Sequence, residues 1–328
     1  MLNYGNLDAD MMRKTAEVIT LVSMLLISAL SASLLVDAAK ANGFIPEYEY
    51  LPEITINHDG SVTPETSIIN RVGNVYTLTA DVEGYSIRIE CSDIVFDGSG
   101  YTINTTNGDS PGIRLDVVNG VTIKDVGVVG RYTNIYVNHS SYCLITGVKT
   151  NKRIYLADGS NFNTITKSNV TILHTFLENA GNNRITQNNI LQQLGIGSSN
   201  NIFSQNNFFL TELPYIAGDN FWDENFVGNY WSNYSIKYPN ASEIGNTGIS
   251  DTPYIIDRES YSMLSFPNAT NVDNYPLMHP CDIEKDIIAF PKQEPQLEPE
   301  PTTLVIASLT SITVIGIGLL VYFRKRKG

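Results

Sequence analysis

The tetrads Y-C-L-I at 142–145, F-N-T-I at 162–165 and N-N-R-I at 182–185 recur at a fixed interval, and each closes on an isoleucine. Read outward from these, the pattern opens as D-I-V-F at 93–96 and G-V-T-I at 120–123, and ends as N-N-I at 200–202. The closing residues Phe96, Ile123, Ile145, Ile165, Ile185 and Ile202 are separated by 27, 22, 20, 20 and 17 residues. A period near 20 marks a stacked repeat, in which no unit buries its apolar face alone. A second stripe precedes each tetrad: Ile87 and Ile89, Ile113 and Leu115, Ile135 and Val137, Ile154 and Leu156, Phe176, then Leu194 and Ile196. A third follows at Val126, Val148, Val170, Ile190 and Phe208. Apolar and polar residues alternate within the stripes, the period of a strand with one buried face. Gly, Asn, Asp and Ser fill the gaps, where their tolerance of turn conformations is needed. The pattern predicts an all-β chain: a parallel β-helix of about six coils over 84–210, with caps at both ends.

The asparagines fall into columns. Asn169, Asn189 and Asn207 recur at one place in successive coils, and Asn182 and Asn200 at another. Stacked amides can hydrogen-bond along such a ladder, and turns demand the same residue, so both uses rank ahead of a polar binding stripe. Open sheet edges invite aggregation, which makes caps a requirement of the fold.

Composition removes several functions. Lys plus Arg number 21 against 34 Asp plus Glu, for a net charge of −13, whereas nucleic-acid binding requires clustered cations. Residues 42–83 sum to −6, 84–210 to +1 and 211–300 to −11. Cys91, Cys143 and Cys281 stand far apart, and His58, His139, His174 and His279 are scattered, so no metal site is expected. His139 and Cys143 are near in sequence, but Cys143 sits on an apolar stripe and reads as a small buried hydrophobe.

The ends carry the localisation. Val18 to Val36 is uncharged and follows Arg13 and Lys14, with Ala39-Lys40-Ala41 beyond it, so 1–41 reads as a signal peptide or signal-anchor. Leu304 to Phe323 is long enough to cross ~30 Å of hydrocarbon as a helix. Residues 324–328 are basic and expected to be cytoplasmic. Between these lie an N-terminal cap at 42–83, the coils at 84–210, a C-terminal cap at 211–281 and a Pro/Glu stalk at 282–303. The expectation is a single-pass membrane protein whose body faces outside. Sequons at Asn104, Asn138, Asn169, Asn233, Asn240 and Asn268 accord with that placement.

Three stretches carry a family resemblance: I-T-I-N-H-D-G-S-V-T-P at 54–64 with R-V-G-N-V-Y-T-L-T at 71–79; D-I-V-F-D-G-S-G-Y-T-I at 93–103; and G-N-Y-W-S-N-Y, I-S-D-T-P-Y-I-I-D and N-Y-P-L-M at 228–234, 249–257 and 274–278. In this order they resemble the NosD-like group of right-handed parallel β-helix proteins, which includes carbohydrate-binding and sugar-hydrolysis modules. Asn233 stands where that family usually carries Asp. The resemblance implies right-handed coils, a surface protein of archaeal type and, as a third functional reading, a copper-related accessory role.

For chemistry, sugar hydrolysis requires two or three converging carboxylates. Among the central acids Asp116 and Asp158 follow the second stripe, in coils that are not adjacent, and no stacked acid pair emerges. No catalytic residue is therefore assigned, and a β-helix lyase or hydrolase is the alternative to a binding module. The terminal segment gathers Trp222, Asp223, Tyr230, Trp231 and Tyr234, flat aromatic faces beside a carboxylate, as a sugar site requires. A coil end also needs a plug, and only these residues are large enough, so cap ranks ahead of glycan site. No cofactor is expected, with calcium at Asp219, Asp223 and Glu224 as the one exception considered. The expected partner is an extracellular or envelope polysaccharide.

Overall fold

Alternation of large apolar and polar residues over three or four positions, broken by Gly and Asn, gives short strands with one apolar side, and the chain winds so that successive turns bury that side together. The computed structural model describes residues 49–157, 159–175, 180–256 and 271–283. The expected signal segment, nearly all of the stalk, the 304–323 run and the basic tail lie outside the described residues, as do Asp158, Phe176 and Asn268. Among the described residues no helix is long and apolar enough to cross a membrane.

The described chain is an all-β parallel solenoid of about seven turns. Each turn lays down three strands in fixed order, so three parallel faces run along the axis. The first face begins with Glu53–Ile56, Ser86–Ile89, Ile113–Asp116, Thr133–Asn138 and Arg153–Leu156. The second runs from Val75–Leu78 through Val95–Asp97 to Ile202–Ser204. The third runs from Val82–Glu83 to Tyr230–Trp231. Residues 53–83, expected as a cap, thus supply the additional turn. The entry edge is closed by antiparallel pairing of Val62–Thr63 with Glu53–Ile56, and of Ile69–Val72 with Val75–Leu78.

Side chains of equal register stack into columns inside. The second-face column is Tyr76, Phe96, Ile123, Ile145, Ile165, Ile185 and Phe203, all buried. Its last member is Phe203 and not Ile202, because the shorter final spacing shifts the register by one and turns Ile202 outward. On the first face Leu173 and Thr175 occupy the place expected for Phe176. Burying each Ile or Leu fully contributes about 1.5–3 kcal/mol, so the columns supply the main stabilising term.

The inside corners change character along the axis. Val121 and Cys143 open one corner; Asn163, Asn183, Asn201 and Asn220 continue it, each Oδ1 accepting the backbone N–H of the preceding member, from Cys143 onward, at 2.9–3.0 Å. Val126 and Val148 open the other, followed by Ser168, Asn188, Asn206 and Asn229. Buried N–H groups that the corner would orphan are satisfied in this way. The expected column of Asn169, Asn189 and Asn207 is an amide ladder on the third face, with bonds of 2.6 and 2.8 Å. Asn182 and Asn200, expected as a ladder, instead hold left-handed backbone at φ 57° and 64°. The ladder belongs to their neighbours Asn183 and Asn201.

At the far end Trp222 stacks on Phe203 with centroids 4.5 Å apart, and Trp231 on Phe208 at 4.3 Å. The tryptophans continue the second and third columns. Helix α1 (Tyr234–Lys237) and the antiparallel pair Tyr254–Ile255 and Val272–Asp273 cover them, with Tyr254 stacked on Trp231 at 4.5 Å.

Candidate functional site

In each first-face strand two residues point inward, apolar in most turns and Leu173 with Thr175 in one, and the residue between them lies on the outer side. Register aligns these outward residues one per turn: Thr55, Arg88, Arg114, Tyr136, Tyr155, His174, Gly195 and Tyr215. Successive members are about 4.8 Å apart, the spacing of paired strands. From Arg88 to His174 this row is a strip of two guanidiniums, two phenol rings and an imidazole.

The strip is held from both sides. Arg88 reaches Glu90 at 2.8 Å, Asp116 at 2.6 Å and Glu53 at 3.6 Å. Arg114 lies 3.3 Å from Asp116 and its guanidinium sits over the Tyr136 ring at 5.5 Å. The Tyr136 and Tyr155 rings follow with centroids 5.4 Å apart, tilted by 50°. His174 Nε2 lies 2.9 Å from Gln193 Oε1, and Gln193 donates its amide to Glu212 at 2.6 Å. With its amide committed to Glu212, Gln193 offers an oxygen, which calls for a proton on Nε2 of His174. Gly195 is required here, since a Cβ would stand 2.7 Å from His174 Cδ2.

Electrostatics favour binding roles over proton transfer. Partial burial would raise the Asp116 carboxyl, but the Asn138 amide at 2.8 Å and the guanidiniums of Arg114 and Arg88 outweigh it and hold it below the ordinary range. A carboxyl so held is an anion near neutrality and has no proton to give. Burial lowers the His174 imidazole despite the opposing bond to Gln193, which keeps the ring neutral near pH 7. The strip therefore offers partly exposed guanidiniums at Arg88 and Arg114 and phenol rings at Tyr136 and Tyr155, while Asp116 and His174 are buried and hold these groups in place.

The aromatic set expected as a sugar site divides. Trp222 is 1% exposed and Trp231 3%, and both indole N–H groups are used inside, to Asn271 at 2.8 Å and Asp273 at 3.0 Å. Tyr234 is also buried, its hydroxyl bonded to Ser250 at 2.6 Å and the Thr252 carbonyl at 2.5 Å. Stacking on a sugar requires an exposed ring face, which these three do not present; their geometry is that of a plug. Tyr230 is half-buried beside Phe209, and Asp223 accepts from Asn274 at 3.0 Å. Glu224 pairs with Arg184, away from Asp223. Among the described residues no three His, Cys, Asp or Glu side chains gather as a metal ion would need.

The remaining candidates fall apart in space. Cys143 lies in the core, where burial pushes its thiol up to about 11, while His139 is exposed and bonded to Asn138. Of the described sequons, Asn240 is exposed with its neighbour Ser242, and Asn104 accepts from Thr106 at 2.8 Å. Asn138 and Asn169 are engaged, by Asp116 and Asn189, and Asn233 accepts from the Tyr254 hydroxyl.

Sequence reasoning missed Arg88, Arg114, Tyr136, Tyr155 and His174 as a group. The signal was present: aligning Ile87-Arg88-Ile89, Ile113-Arg114-Leu115, Ile135-Tyr136-Val137 and Ile154-Tyr155-Leu156 by their apolar residues also aligns the residue between them. Comparison with protein-family models, with curated proteins and with solved structures finds no match to this chain.

Proposed function

We propose that the chain is a surface-displayed β-solenoid that recognises an extracellular or envelope polysaccharide along its first face, without cleaving it. The observation that carries this reading is the in-register strip from Arg88 to His174. An extended polymer lying along the axis meets one strip residue about every 4.8 Å. Sugar rings have an apolar C–H face and polar edges, which the phenol rings and the flanking Arg, Asn and carboxylate groups complement. Surface display is part of the proposal and rests on the uncharged runs at 18–36 and 304–323. The NosD-like resemblance supports the carbohydrate class.

The test is retention of the full-length chain on immobilised polysaccharides, with reducing and unsaturated sugar ends followed in parallel. Wild type is expected to be retained by at least one polymer without new ends. Arg114→Ala and Tyr155→Ala should each weaken retention by about 1–3 kcal/mol, as loss of a charged bond or a stacking ring does. New ends would replace this reading with a β-helix lyase or hydrolase. Retention by no polymer would remove it.

A further inference from the structure

The corner between the first and second faces carries, turn by turn, Asp93, Gly120, Tyr142, Phe162, Asn182 and Asn200. All six hold left-handed backbone, with φ from 57° to 65°. Asp, Gly and Asn adopt it readily, whereas the two aromatic residues adopt it at a cost. Tyr142 and Phe162 are nevertheless 66% and 51% exposed, and their rings stack with centroids 5.3 Å apart and planes within 5°. A ring backed by Phe162 on one side and exposed to that extent presents its other face to solvent. The turn on that other side carries Gly120, which has no side chain to cover it. From the turn beyond, Asp93 leans across, so that a Cβ on Gly120 would stand 2.3 Å from Asp93 Oδ1. Among the described residues the Asp93 carboxylate has no ion-pair or hydrogen-bond partner, and only its backbone is bonded, to Asn74 and Asn119. We propose that this slot, with a carboxylate and an open ring face on either side of Gly120, binds a protonated amino sugar of the polysaccharide. The inference rests on the glycan reading for its class of ligand and adds which unit of the polymer is selected, and where.

Spacing, charge and position carry it. Successive members of the column lie about 4.8 Å apart, so a nitrogen bonded to Asp93 at about 2.8 Å comes within the ~6 Å reach of a cation–π contact with Tyr142. The strip contains the same arrangement filled from within: the Arg114 guanidinium lies 3.3 Å from Asp116 and 5.5 Å from the centre of the Tyr136 ring. A carboxylate beside a ring face favours a cation over a neutral group and repels an anion. A pyranose that carries an ammonium makes both contacts as one rigid unit, its C–H face on Tyr142 and its nitrogen on Asp93. A lysine side chain brings the charge without the face. The slot also lies beside the strip, since Asp93 follows Arg88 by five residues and Tyr142 follows Tyr136 by six. A polymer lying on the first face passes next to it.

The test is calorimetric titration of the full-length protein with two oligosaccharides, the glucosamine tetramer and the N-acetylglucosamine tetramer, in buffer that keeps the amines protonated. The pair differs in the charge on the substituent nitrogen. Wild type is expected to bind the glucosamine tetramer about tenfold more tightly, as a charged hydrogen bond provides. Asp93→Asn keeps the shape and the left-handed backbone and should erase that preference. Tyr142→Asn should weaken the glucosamine tetramer about threefold, and Asn182 and Asn200 already hold the same backbone, so the coil is kept. Asp125→Asn removes an equal charge at another corner, at φ 52°, and should leave the preference intact, which separates the slot from the general pull of a net charge of −13. Equal affinity for the two tetramers, or a preference that survives Asp93→Asn, overturns the inference, even in a protein that retains a neutral polysaccharide. Trilysine that binds as tightly as the glucosamine tetramer, and loses that affinity in Asp93→Asn, assigns the slot to a basic peptide and overturns it as well. A preference that depends on Asp93 and Tyr142, in a protein retained by no immobilised polymer, sustains the slot and removes the polymer reading of the strip.

Discussion

Adjacent asparagines do different work in this chain. Asn183 is buried in an inside corner, where it receives the Asn163 backbone and side-chain N–H groups and donates to Asn201, Ser160 and Ala180. Asn182, one residue earlier, is exposed and serves the chain by accepting φ of 57°. Asn183→Ala should therefore cost about 3 kcal/mol, since buried groups lose their partners. Asn182→Gly should stay within about 0.5 kcal/mol, because glycine takes the same backbone conformation freely. Chemical denaturation of both variants checks the contrast. Equal losses would mean that the ladder contributes nothing beyond the turn. The same left-handed position carries Tyr142 and Phe162, both exposed and stacked 5.3 Å apart, so the ring contact offsets part of the backbone cost.

The C-terminal cap ends the ladders and plugs the columns at once. Asn271 receives the Asn220 backbone and the Trp222 indole; Asp273 receives the Asn229 backbone, the Trp231 indole and the Tyr275 backbone; Cys281 meets Asn207. Burial pushes the Asp273 carboxyl up to about 7, against the opposing pull of its Trp231 and Asn229 donors. Its ordinary value is 3.8, so between the two the native state binds the extra proton. The stabilisation is complete below about pH 4 and is lost as pH rises through about 7. Asp273→Asn cannot titrate, so wild-type stability relative to this variant should fall over that window, read by thermal unfolding at stepped pH. A constant difference would contradict the assignment. Asp97, Asp116 and Glu224 act with the opposite sign, because their carboxyls lie below ordinary values and their contribution is lost in acid. The plug was legible in sequence, since Trp222 and Trp231 are the only tryptophans and an open coil needs large side chains. Their partners were not, because Asn271 and Asp273 lie more than forty residues on and reach Trp222 and Trp231 only through the fold. The coils themselves were legible because inward columns require apolar residues at fixed spacing. The strip was not read, because outward positions tolerate many residue types and alignment by the apolar residues alone passes over them.

At the scale of the molecule, a solenoid is a sum of turns, each resting on its neighbours. Residues 143–162 form one complete turn, and Cys143 and Asn163 share a corner 20 residues apart. Their excision should join Tyr142 to Asn163 in register and leave a β-rich, cooperatively unfolding protein, seen by circular dichroism. Excision of 143–161 shifts the following chain by one residue against its turn and turns inward side chains outward, so it should not fold. The in-register excision also removes Tyr155 and shortens the strip. On the proposed function, the first face binds an extended polymer along the solenoid axis. Calorimetric titration with a length series of oligosaccharides, drawn from whichever polymer retains the chain, tests it most directly. Affinity should climb with length until the ligand covers the ~20 Å from Arg88 to His174, then level off, and Tyr155→Ala should flatten the climb. Affinity independent of length, or a climb that Tyr155→Ala leaves unchanged, would contradict it.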